Sequence, residues 1–135
     1  MSRAKAEKLI RAYYAAFNRG DMEAFVALLD PGVVHDINQG ASESGAAKFR
    51  RFMTRMNRCY KERLTAITIM ASPDGRRAAA EFTVRGTYLA TDKGLPKAKG
   101  QRYTLPGGAF FTIRRGKIAR ITNYYNLPLW LRQIR

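Results

Sequence analysis

Cysteine is almost missing from this chain. Cys59 stands alone, so no disulfide framework and no cysteine-based metal spacing exists. Histidine and tryptophan are as scarce, with one of each, His35 and Trp130. Acidic side chains are few, 10 against 25 Lys and Arg, which leaves a formal charge of +15. No apolar run nears the ~20 residues that a membrane span needs. The start, Met1-Ser2-Arg3-Ala4-Lys5, leads into an amphipathic pattern without the apolar core of a signal peptide. These absences exclude a disulfide-stapled scaffold and a helical membrane protein. They leave a cytoplasmic location, with no membrane partner and no metal, as the expectation.

Hydrophobic residues make up 46% of the 135 positions, too many for a disordered tail. A chain of this length suits one domain over residues 1–135, and burying roughly two-thirds of its unfolded surface is within its reach. The positive charge raises nucleic acid or an acidic carrier protein as possible partners. However, the basic residues are scattered: Arg50-Arg51, Arg55 and Arg58, then Arg76-Arg77, then Lys93, Lys97 and Lys99, then Arg114-Arg115. They form a shell rather than a groove, and no finger or helix-turn-helix pattern accompanies them.

Periodicity orders the elements. Ala6, Ile10, Tyr13, Tyr14 and Phe17 share one face of a helix over residues 2–18, stopped by Gly20. Asp21 caps a second helix over 22–29, which ends at Asp30-Pro31-Gly32. A strand over 33–38 and a Gly/Ser loop over 39–45 precede a third helix reaching about Arg58, with Phe49, Phe52, Met53 and Met56 on one side. The period then becomes two. Strands are predicted over 60–71, 77–91, 102–114 and 117–125, with a rim loop over 92–100 and a final helical turn over 127–133. Helices on one face of a curled antiparallel sheet give an α+β fold, a cone whose sheet wraps three N-terminal helices around a pocket.

This order resembles the nuclear transport factor 2-like superfamily, in particular ketosteroid isomerases and SnoaL-like polyketide cyclases. The likeness rests on YYAAFNRGD at 13–21, VVHD at 33–36 and AAAEFTVRGTY at 78–88. A closer likeness, to bacterial ketosteroid isomerase-related proteins, lies in HDINQG at 35–40, TDKGLP at 91–96 and YYNL at 124–127. The resemblance implies a cofactor-independent enzyme that abstracts a proton next to a carbonyl. Such chemistry needs a base near the carbon and hydrogen-bond donors at the oxygen. Asp36 matches the base, and Tyr13, or its neighbour Tyr14, matches the oxygen-holding tyrosine. The second donor of the family falls at Gly108, which has no side chain. Loss of one such donor typically costs about 100- to 1,000-fold in rate.

By alternation Asp36 shares a side with Val34 and Asn38; if Val34 faces the core, Asp36 faces the cavity and His35 points away. Asn123 is expected to face inward from the last strand, and Asn38 and Gln101 are further polar candidates. The substrate-binding wall would comprise Phe17, Phe52, Met53, Met56, Phe82, Val84, Tyr88, Phe110, Tyr125 and Trp130. Such a wall suits a flat hydrophobic small molecule carrying one or two oxygens. The alternative is a binding protein with the same cavity and no chemistry. The resemblance also implies a homodimer through the outer sheet face, expected to carry Ile67, Ile69, Leu89, Phe111 and Ile113.

Overall fold

Ser2 opens the first helix, α1 (Arg3–Arg19), by accepting the Lys5 amide at 3.1 Å, and Gly20 closes it with φ 71°. The computed structural model describes residues 1–37 and 40–135. Asp21 caps α2 (Met22–Ala27) through the Ala24 amide. This helix ends two residues before the predicted Leu29, because Leu29 instead begins β1 (Leu29–Asp36) and pairs with Ile118. The predicted Gly/Ser loop contains a short strand, β2 (Ser42–Ser44), paired antiparallel to β1. Helix α3 (Ala46–Cys59) buries Phe49 and Met53 and turns most of its arginines outward. Four strands follow: β3 (Tyr60–Ala71), β4 (Arg77–Tyr88), β5 (Arg102–Arg114) and β6 (Lys117–Tyr125). Asn126 caps the terminal α4 (Leu127–Ile134).

The strands form one sheet in the order β2-β1-β6-β5-β4-β3. The sheet is curved and unclosed. It is not wholly antiparallel as predicted: β1 runs parallel to β6, since the whole α3-to-β5 stretch intervenes and lets the chain return in the same direction. Curvature has local causes. The β3–β4 register shifts between Thr65 and Thr68, where Ala66 takes φ 52°, and a bulged strand bends.

Two neighbouring cross-strand rows set the faces. His35, Ile121, Phe111 and Ala78 lie side by side and point inward, onto the helices. Asp36, Thr122, Phe110 and Ala79 form the adjacent row and point outward. Phe111 (1% exposed) and Ile113 (5%) are therefore core rather than the outer-face residues expected, and Phe110 (51%) and Tyr124 (58%) occupy the outer face instead. Ile67 and Ile69 are half-buried against the core, and Leu89 is exposed. Helix α1 is fixed over β3 by Asn18, whose amide donates to the Leu64 carbonyl at 2.8 Å and accepts the Leu64 N–H at 2.9 Å. Among the described residues no helix is long and apolar enough to cross a membrane.

Candidate functional site

The inner sheet face and helices α1, α3 and α4 enclose a cavity of about 460 Å³. Phe17, Phe52, Met53, Met56, Phe82, Val84, Asn123, Tyr125 and Trp130 all line it. Two expected wall residues do not. Phe110 belongs to the outward row and packs edge-on against Tyr124. Tyr88 is fully buried behind the wall, stacked on Tyr60 at 5.3 Å, and its hydroxyl donates to the Pro96 carbonyl and accepts the Asp92 amide. It clasps the rim loop. Gln101 likewise holds backbone, donating to the carbonyls of Lys97 and Ile134. Asn38 lies outside the described residues.

The base expected on β1 is turned away from the cavity. Asp36 accepts hydrogen bonds from Thr122 (2.6 Å), Arg120 (2.7 Å) and Ser42 (3.0 Å), tying β1 to both neighbouring strands. Thr122 first, then Arg120 and Ser42, hold its carboxyl below the usual range, the opposite of what a dry recess does. The premise that failed was the phase. Val33 (0% exposed), not Val34, is the inward valine, so His35 (2%) comes in and Asp36 goes out.

His35 sits in the cavity wall, stacked on Phe49 at 4.2 Å and edge-on to Phe52 at 4.7 Å. Burial lowers its pKa, so the imidazole is neutral near pH 7, and among the described residues its Nδ1 has no hydrogen-bond partner. Tyr13 and Tyr14 both line the cavity, edge to face at 5.1 Å. Burial pushes both phenols up, so they stay protonated donors. Tyr14 packs against Phe82 and Phe111, and its hydroxyl also lacks a partner.

Away from His35, the wall carries groups that the sequence reading passed over. Glu62, Gly86 and Tyr103 face one another across β3, β4 and β5. Gly86 has no side chain, so the Tyr103 ring lies across it and donates to Glu62 at 2.6 Å. Burial raises the Glu62 pKa, partly offset by that bond. Beside it Asp92 accepts from Tyr60 (2.8 Å) and Arg55 (2.7 Å). The signal for Glu62 was present in the sequence. It alternates with Tyr60 and Leu64, both buried, which puts a carboxylate on an inward phase.

A Cβ at Gly86 would come 2.2 Å from the Tyr103 ring, which is 3% exposed and has little room to retreat. Gly86→Ala is therefore expected to break the Tyr103–Glu62 bond and destabilise the fold by about 1–3 kcal/mol, measured by urea unfolding. An unchanged unfolding midpoint would mean that the ring relocates freely.

Among the described residues no three His, Cys, Asp or Glu side chains gather to hold a metal ion. The cavity is thus a mainly apolar chamber with His35 and Tyr14, each carrying one polar atom unpaired among the described residues, on one part of its wall and a Glu62–Tyr103 pair on another. No curated protein matches the sequence. Solved structures do. A candidate polyketide cyclase from Pseudomonas putida KT2440 is 62% identical with a TM-score of 0.95, the match covering 96% of this chain and 98% of that one. A second, from Xanthomonas campestris, is 52% identical at a TM-score of 0.96 over 98% of each chain. A candidate ketosteroid isomerase from Kribbella flavida, at 23% identity and a TM-score of 0.66 over 92% of this chain and 79% of that one, shares the fold. The model of the SnoaL-like domain matches residues 10–121, and with the helix-lined cone and its cavity in place, the chain belongs to the SnoaL-like domain family.

Proposed function

We propose that this protein is a cofactor-independent isomerase or cyclase that moves a proton on a hydrophobic ketone, with His35 as base and Tyr14 as the donor to the carbonyl oxygen. One observation carries the reading: His35 and Tyr14 both line one cavity, and each has a buried polar atom, Nδ1 and the hydroxyl, that lacks a partner among the described residues. Each such atom costs about 1–3 kcal/mol when left unsatisfied, and a bound ligand supplies what they lack.

With its proton on Nε2, the neutral imidazole offers a lone pair at Nδ1. It takes the proton from the carbon next to the carbonyl, and the electron pair moves to the oxygen, which accepts a hydrogen bond from Tyr14. Returning the proton to a different carbon completes an isomerisation. Attack of the enolate carbon on a second carbonyl of the same molecule completes a cyclisation. Glu62 and Asp92 are each hydrogen-bonded already and serve the wall rather than this step.

The test is hydrogen–deuterium exchange next to the carbonyl of 2-tetralone and larger fused-ring ketones in D₂O. Wild type is expected to catalyse exchange, and Tyr14→Phe to slow it about 100-fold. The rate should rise with pH to a plateau, with a midpoint below the ordinary histidine value of 6.5, because burial disfavours the charged ring that cannot act as base. The second reading, a binding protein that retains only the cavity, is favoured by Gly107, which holds the inward position of β5 beside Phe82 without a side-chain donor. Gly108, where the family donor was expected, pairs with Glu81 and Tyr124 in the outward row. Ketone binding without exchange would select it.

A further inference from the structure

Glu62 is a carboxylate with no counter-charge. The Tyr103 hydroxyl is its hydrogen-bond donor, and among the described residues no ion pair reaches it. Asp92, which lines the same cavity, is by contrast paired with Arg55 at 2.7 Å. In a chain with 25 Lys and Arg, none is committed to Glu62. An ionised carboxylate held away from water without a cation is costly. Lys93 reaches the cavity wall too, but it sits exposed on the rim loop.

The surroundings of Glu62 are aromatic. Tyr60, Tyr103, Tyr125 and Trp130 all line the cavity there. Trp130 stands at the centre of the group, its ring 5.7 Å from Tyr60, 6.0 Å from Tyr103 and 6.1 Å from Tyr125. Its plane makes angles of 56°, 82° and 89° with theirs, so the rings stand as adjoining walls. A point about 4 Å in front of two such walls lies within the reach of cation–π attraction to both. Gly86 contributes by letting the Tyr103 ring lie flat against the sheet, which keeps the space in front of it open.

We propose that the cavity takes a hydrophobic molecule bearing an ammonium group, seated among Tyr60, Tyr103, Tyr125 and Trp130 with Glu62 as its counter-charge. The ammonium neutralises the half-buried carboxylate, and the rings replace part of its water with π faces. The apolar remainder extends along Val84, Leu105 and Phe82 toward His35. This site lies away from His35 and Tyr14 and stands whether or not the protein turns a ketone over.

Trp130 is the only tryptophan, so its fluorescence reports on the box directly. Titration with 3-phenylpropyltrimethylammonium, its neutral tert-butyl isostere and 4-phenylbutyrate separates charge from shape. The ammonium compound is expected to bind at least about tenfold more tightly than the isostere, with phenylbutyrate weakest. Glu62→Gln, which keeps an acceptor for Tyr103, is expected to bring the two within about twofold while leaving isostere binding unchanged. Equal or tighter binding of the isostere to wild type, failure of all three to bind, or a preference that survives in Glu62→Gln would each overturn the proposal. Should that variant not fold, the isostere comparison on wild type decides alone.

Discussion

His35→Gln is expected to lower ketone exchange by at least about 100-fold, while Asp36→Asn leaves it within about threefold. The two residues are adjacent, so the contrast separates the phases of one strand. His35 is buried in the cavity wall with a ring nitrogen unpaired among the described residues, and Gln of similar size retains hydrogen-bonding capacity but has no basic nitrogen. Binding of a neutral ligand should survive the change, which places the loss in turnover rather than affinity. Asp36 instead holds three strands together through Ser42, Arg120 and Thr122. Removing its charge is expected to cost about 1 kcal/mol of stability. Because its folded pKa is depressed, that contribution is present above the ordinary carboxylate value of 3.8 and is lost as pH falls through the folded value. Turnover abolished by Asp36→Asn and untouched by His35→Gln would restore the carboxylate as base and remove the mechanism proposed above.

Phe111→Ala is expected to destabilise the protein by about 3–5 kcal/mol, against less than about 1 kcal/mol for Phe110→Ala. Phe111 is 1% exposed and touches both Tyr13 and Tyr14, so its removal opens a void under a pair that lines the main cavity. Phe110 is half in water on the outer face, beside Tyr124. If a second copy packs there, its loss appears in self-association, read by sedimentation, rather than in monomer unfolding. Equal destabilisation by both variants at a concentration where the chain is monomeric would contradict the assigned faces.

Both contrasts arise at the same kind of sequence feature. Val33-Val34 and Phe110-Phe111 are adjacent apolar pairs on strands, and a pair gives no phase. Either member satisfies the inward row, and choosing the wrong one flips every neighbour. On β1 that choice exchanged Asp36 for His35. On the helix, the pair Tyr13-Tyr14 carries no such penalty, because residues about 100° apart both fit a broad apolar face; both are buried. Over residues 81–88 of β4, where polar and apolar residues alternate without doublets, Phe82 and Val84 came out on the expected face. Glu62 was legible by the same rule, although a charged residue on an inward phase runs against the usual pattern.

From its order of residues alone, this chain determined its helices and their caps, the hairpins of its meander, the α+β class and the apolar stock of a cavity. Those follow from local periodicity and turn chemistry, which act over a few neighbours. Tertiary structure alone decided which side of β1 faces the cavity, that β1 runs parallel to β6, and that Tyr103 reaches Glu62 over Gly86. Each depends on strands distant in sequence lying side by side, and a row across a sheet comes into being only when the strands pair.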